Sequence, residues 1–335
     1  MSTFKIDIAI DKNFFNKKEK RELIYYSRKD NNYLDSVSFY RKHVSISGSR
    51  THEINKIDLL ETTNSTYYAD IIKSLLYVYY EKGCFEVESI VVYVDDELLV
   101  SYRKNKIKQE FSYESLIDIN SQKLFADKKI SDIVMNSLMN LTLASSNKDL
   151  QFDYSWKCFN TLISKIFDER TEQNKLKKLR RDLEADYSKY PNISSFIPVM
   201  DVNYMNSCHI NDMINNNYPK GSTGNLVSFF KSFKDYRVSE VLKDKMKCKK
   251  DDLNDIGKYD EIDSYYNNNI QNKVEKETDI IRLVILKYAY YLRCKYFHGE
   301  KIPSNFLISN MNQIELDRIS IPLRIICKDL LENIL

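Results

Sequence analysis

The stretch Asp279 to Lys301, DIIRLVILKYAYYLRCKYFHGEK, limits the fold more than any other part of the chain. Nearly every position from Ile280 to Phe297 is apolar or aromatic. Such a segment reads as a helix buried on most of its circumference rather than as an amphipathic surface helix. Gly299 and then Pro303 supply a C′ glycine and a downstream proline, while Thr278 and Asp279 offer an N-cap. After this helix, Asn305 to Asn310 and Leu316 to Leu335 complete a bundle, and Pro322 is expected to kink or divide the last element.

Arg293 and His298 interrupt the apolar run near its end, and their chemistry sets the functional reading. In an ideal helix a five-residue separation puts them about 140° apart. They converge only if the helix loosens at Gly299 or if two copies of the helix meet across an interface. Arginine presents a positive fork suited to phosphate oxygens, and histidine gives or takes a proton near neutral pH. Together they suit cleavage of a phosphodiester beside a 2′-hydroxyl, a reaction that carries its own nucleophile and needs no metal. A buried, satisfied pair or a partner for the helix dipole is the plainer alternative for the same two residues.

The pattern Arg293-Cys-Lys-Tyr-Phe-His298-Gly-Glu-Lys resembles the R-x4-6-H motif of the HEPN superfamily, helical domains found in prokaryotic toxins, phage-defence proteins and RNA-guided ribonucleases. The family commonly has Asn after the arginine, where this chain has Cys294, a residue that can line the site without offering an amide. Phe152 to Ile163 resembles the aromatic F-x-x-x-W-x-x-F-N helix found upstream of the motif, with Phe152, Trp156, Phe159 and Ile163 on one helical stripe and Asn160 beside it as a candidate to line the catalytic cleft. The resemblance covers roughly residues 128 to 335. It implies a metal-independent endoribonuclease without cofactor, acting as a homodimer in which two copies of Arg293 and His298 line one groove and leave a 2′,3′-cyclic phosphate. Glu300 is a further candidate for the site. A phage-defence or toxin role follows from the same resemblance, with an antitoxin or a defence-system component as a possible partner. Toxins paired with nucleotidyltransferase antitoxins carry a Tyr two positions after the histidine, where this chain has Glu300. A catalytically silent module that binds nucleotides or partner proteins stays open as the alternative.

Composition narrows the partners. With 51 basic and 48 acidic residues the net charge is only +3, so any RNA site has to be a local patch. The run Lys175 to Arg181 lies in a charged helix from about Glu169 to Tyr187, and Lys175, Lys177, Lys178 and Arg181 fall on nearly one side of it. With Lys295 they are the candidates for holding an RNA backbone, although a charge run is commonly a solvated helix face. The six cysteines have no C-x2-C pair and give no zinc spacing, which reads as reduced thiols. No signal sequence and no uncharged 18-residue run is present, so a cytoplasmic protein without a membrane segment is expected.

The first 125 residues read as a small α+β domain, a possible sensor or assembly surface. Phe4 to Ile10 alternates as a strand, Leu23 to Tyr26, Val37 to Tyr40 and Val44 to Ser47 are shorter candidates, and Tyr67 to Tyr80 is a helix ended by Gly83. Glu88 to Tyr93 and Leu98 to Tyr102 form a hairpin. His43, His52, Arg41, Lys42 and Arg50 make a small basic cluster, most simply a solvated surface. From Lys128 onward the pattern is helical: Ile130 to Leu143, then the Trp156 helix. Pro191 to Gly224 reads as an irregular connection or insertion, Asn225 to Phe233 as a short helix, and Asp251 to Asn272 as a mobile loop or exposed helix. The fold class expected is an α+β domain over 1–125 followed by an all-α bundle over 126–335, mainly α overall.

Overall fold

The computed structural model describes residues 1–29, 31–60, 65–297, 299 and 311–334. Alternation of apolar and polar residues builds the first element, β1 (Ser2–Ile10), which buries Phe4, Ile6, Ile8 and Ile10 on one face. It is joined by β2 (Phe15–Arg28), β3 (Asn31–Arg41), β4 (His43–Arg50), β5 (Val87–Val94) and β6 (Glu97–Arg103). The six strands form one antiparallel sheet in the order β2-β3-β4-β1-β5-β6. Register lines the core up across it: Ile6 opposes Ile46 and Val92, and Phe39 opposes Val44. The β5–β6 hairpin turns at Asp95 and Asp96, both with positive φ. That pair of left-handed residues matches the twist a tight hairpin needs.

Helix α1 (Thr66–Lys82) is capped by the Ser65 side chain and ends at Gly83 with φ +99. Its buried residues run unbroken from Lys73 to Tyr80. Helix α2 (Lys128–Ser146) is anchored to it by polar contacts, Lys73 Nζ reaching Ser131 Oγ at 2.7 Å and Asp132 at 2.9 Å. The helix carrying Trp156, α3 (Gln151–Ile166), buries Phe152, Trp156, Phe159 and Ile163 as the expected stripe. Residues 1–162 with 334–335 make one compact unit and residues 163–333 a second. The first unit therefore extends past the residue-125 boundary read from the sequence and takes in α2 and most of α3.

The α+β region followed by a helical region is as expected, and the details differ in instructive ways. Strand β2 spans fourteen residues where only Leu23 to Tyr26 was evident, because its outer stretch is KKEKRE. Lysines on an exposed edge strand blunt pairing with other chains and also hide the alternation. Arg50, grouped with the basic cluster, turns inward and pairs with buried Asp35.

In the second unit, α4 (Glu172–Ala185) buries Leu176, Leu179 and Leu183. The segment after it is a run of short helices: α5 (Pro191–Phe196), α6 (Val202–Asn206) and α7 (Ile210–Asn217). This corrects the irregular reading of Pro191 to Gly224. Asp329, from the last helix, accepts the backbone N–H groups of Asn192 and Ile193, each at 2.9 Å, and so caps α5 from a distance in sequence. Next come α8 (Thr223–Lys231), α9 (Tyr236–Lys245) and α10 (Tyr259–Gln271). Helix α10 is packed rather than mobile, burying Ile262, Tyr266 and Asn269.

The long apolar helix, α11 (residues 277–297), is continuous, and its middle, Arg282–Ala289, is π-helical. Every residue from Asp279 to Leu286 is buried. Asp279 does not cap its own helix. Its carboxylate accepts from the backbone of Lys234 at 2.6 Å and lies 3.6 Å from Arg282. Gly299, at φ +68, takes the left-handed conformation of a helix-ending glycine. Helix α12 (Met311–Glu332) passes through Pro322 as a single helix and is not divided there. Among the described residues no helix is long and apolar enough to cross a membrane.

Candidate functional site along the buried helix

Helix α11 runs out of the core toward its end. Leu292 is fully buried, Arg293 to Tyr296 are half-buried and Phe297 is exposed. The Arg293 guanidinium stacks on the Phe297 ring at 5.3 Å and sits 3.6 Å from Glu172 Oε2, beyond hydrogen-bond range. Its Nη1 lies 4.0 Å from Cys294 Sγ. Buried Nε of Arg293 and buried Oε1 of Glu172 have no hydrogen-bond partner among the described residues. A guanidinium with a buried donor left open is costly to hold and ready to accept an anionic partner.

His298 and Glu300 lie outside the described residues, as does the stretch Asn305 to Asn310. Cys294 is half-buried, and Tyr290 faces it. Burial, and then the neighbouring Cys294, raises the pKa of the Tyr290 phenol. Lys295 projects over the Tyr291 ring at 6.0 Å. Asn160 falls in the first compact unit, whereas Arg293 belongs to the second.

The basic run on α4 divides between its faces. Lys175 donates to Ser164 Oγ at 2.9 Å, Lys178 is 3.6 Å from Glu169, and Arg181 is exposed. Two other residues of the run, Lys177 and Arg180, line a half-open cleft of about 410 Å³ together with Arg282, Lys287 and Tyr290 of α11. Arg180 was not among the sequence candidates. The leucine stripe could have found it, since Gln173, Lys177 and Arg180 all fall on one flank of Leu176 and Leu179 at helical spacing.

Charge in this cleft is strongly one-sided. Arg180 pairs with Glu184 at 3.1 Å, and Arg282 donates to the Ser232 carbonyl at 2.8 Å while stacking on Phe233 at 4.2 Å. Lys177 and Lys287 have no ion-pair or hydrogen-bond partner among the described residues. Burial lowers the pKa of Lys287, and Arg282, Arg180 and Lys177 push it the same way. Burial also lowers that of Arg282.

Beside Tyr288 of α11, His209 Nδ1 lies 3.0 Å from Glu315, which also accepts from the Tyr288 hydroxyl. His209 is 46% exposed while Glu315 is 3% exposed, so a carboxylate fixes one ring nitrogen and leaves the other toward solvent. This histidine and carboxylate make a second proton-transfer pair by type. The sequence showed only that Cys208 and His209 are adjacent. Cys208 itself has its thiol pKa pushed up to about 12 by burial, which leaves no thiolate for nucleophilic chemistry at neutral pH.

No protein-family model, curated protein or solved structure matches the chain.

Proposed function

We propose that the chain is a metal-independent RNA endonuclease that works as a dimer through its helical unit, in the setting of phage defence or as a toxin. The observation that carries this reading is Arg293: an arginine at the emerging tip of a buried helix, with, among the described residues, a buried donor left open and its nearest carboxylate at 3.6 Å. In the proposed reaction the ribose 2′-oxygen attacks phosphorus as its proton leaves to a base. The 5′-oxygen departs with a proton from an acid, and a 2′,3′-cyclic phosphate and a 5′-hydroxyl result. His298 is the residue proposed to move these protons. Arg293 is proposed to offset the charge that builds on the non-bridging oxygens. The Arg293 and His298 sets of two copies would share one groove, which removes the poor angular match of a single helix.

The test is cleavage of single-stranded RNA by the full chain in EDTA, with single-stranded DNA as the control. Arg293→Ala and His298→Ala should each abolish cleavage, and the wild-type products should carry cyclic phosphate. Wild-type rates in both variants would end the assignment. If activity instead disappears in His209→Ala while both of those variants cut normally, the chemistry belongs to the His209–Glu315 pair.

A further inference from the structure

The cleft between α4 and α11 has a property that Arg293 and His298 do not account for. Arg282 and Lys287 are five residues apart, a spacing that would separate them by about 140° on an α-helix. They lie within the π-helical stretch Arg282–Ala289, where hydrogen bonds run i→i+5 and bring such residues onto one face. Both line the cleft, and Lys177 and Arg180 meet them from α4. The lining thus holds four cations and no carboxylate. Of the acidic groups nearby, Glu184 and Asp279 are engaged with Arg180 and with Arg282 and Lys276, and Glu172, close to Tyr290, lies 3.6 Å from Arg293.

A lysine held half-buried among three other cations, with no partner among the described residues, is unfavourable for folding. Hydrophobic replacement would remove that cost, so its presence calls for an anion that arrives later. The space is too large for a single monatomic ion and suits a ligand with several acceptor oxygens. A phenol and two amide side chains, those of Tyr290, Gln173 and Asn217, add neutral hydrogen-bonding groups.

We propose that this cleft is a phosphate-binding site for a nucleotide ligand, contacted by Lys287 and Lys177 and set in the fixed positive field of Arg180 and Arg282. The site needs neither Arg293 nor His298, so it stands whether or not the chain cleaves RNA. Its ligand chemistry is a phosphoryl group on a nucleoside, and that group comes either from an RNA strand or from a free nucleotide.

The experiment is direct binding to full-length His298→Ala protein in EDTA, by anisotropy with a labelled single-stranded RNA and by calorimetry with ADP and with inorganic pyrophosphate. At least one probe should bind. Lys287→Met and Lys177→Glu should each weaken it by about 10- to 100-fold, the range for losing a charge-assisted hydrogen bond. Lys189→Glu, the same charge change at an exposed residue 3.5 Å from Asp182, should leave affinity within about twofold. If RNA is the ligand, removing both lysines should reduce the slope of log K against log salt by about 1.4, or about 0.7 for each phosphate that is no longer neutralised. Binding of ADP that falls in the same way in the variants, with no effect on RNA, would assign the site to a free nucleotide. The proposal is overturned if no probe binds below about millimolar Kd, if both lysine variants bind as tightly as the parent, or if Lys189→Glu weakens binding equally. Because Lys177 is exposed, its variant tests the site without disturbing the packing of α11.

Discussion

Removing Asp35 should be one of the most damaging single changes to the first unit, and the reason lies in what it leaves behind. Asp35 and Arg50 are 1% and 4% exposed and form a two-pronged pair, Nη1 to Oδ1 at 2.8 Å and Nη2 to Oδ2 at 2.5 Å. The guanidinium stacks on Tyr25 at 3.6 Å and lies 4.8 Å from the rings of both Phe4 and Tyr67. Burial opposes the charge on Arg50, yet the bonds to Asp35 outweigh it and raise its pKa. Asp35→Ala would keep the arginine charged and buried, with the Ser49 carbonyl at 3.0 Å and Thr66 Oγ1 at 3.3 Å as its hydrogen-bond partners among the described residues. Breaking a buried pair from one side costs about 3–5 kcal/mol. The two surviving partners and the aromatic stacking put the expectation at the lower end, about 3 kcal/mol. With an m-value of about 2 kcal/mol per molar urea, the midpoint falls by about 1.5 M. Trp156, the only tryptophan, lies in this unit, so its fluorescence reports the transition. The double change Asp35→Leu with Arg50→Met should recover most of the loss, because it removes the stranded charge. A loss below about 1 kcal/mol for Asp35→Ala, the size expected of an exposed pair, would refute this account.

Three more outcomes follow from the same geometry. Burial and then the neighbouring Asp35 hold the Asp70 carboxyl well above its ordinary range. Its neutral form is favoured by folding, so the stability it adds is full below the ordinary carboxyl pKa and is lost as pH rises toward the folded value. Asp70→Asn should therefore raise the urea midpoint at pH 7 and leave it nearly unchanged at pH 4. Lys287 has the opposite sense: its lowered pKa costs stability below the folded value and that cost fades above the ordinary lysine pKa. Lys287→Met should be more stable than wild type at pH 7 by thermal melting, with a smaller gain at pH 11. Gly48→Ala would place its Cβ 1.8 Å from Asp35 Oδ1 and 2.7 Å from the Phe4 ring, and should cost about 1–3 kcal/mol or more in the same urea assay.

Much of the architecture was legible because apolar residues repeat with the period of the element that buries them. Strand β1 shows it from Phe4 to Ile10, and α3 shows it through Phe152, Trp156, Phe159 and Ile163. What the sequence hid was supplied by residues far away along the chain. Helix α5 begins at Pro191 and borrows its cap from Asp329, so local punctuation by Pro, Gly and Asn looked like a loop. Helix α10 is held by the hydroxyls of Tyr265 and Tyr266 on backbone carbonyls of Phe233 and Phe230, contacts that no periodicity announces. The extent of the first unit was hidden for a similar reason. Buried Lys73 of α1 joins Ser131 and Asp132 of α2, although the pattern changes from strand to helix between them.

The candidate site is the sharper case. A helix buried on most of its circumference carries little phase, so nothing in DIIRLVILKYAYYLRCK marks where its turns widen. Read as an α-helix, Arg282 and Lys287 look like unrelated charges on different faces, to be hidden or carried outward separately. In the π-helical stretch they share one face, and α4 brings two more cations against them. Arg293 and His298 stand out in the sequence because they mark a visible boundary, the end of the apolar run. The four cleft cations lie inside the run or beside a leucine stripe, where charge is expensive and each position needs a reason. Cost of this kind is itself the signal. An interior lysine with no partner points to a ligand more directly than an exposed basic run does, because solvent already satisfies the latter.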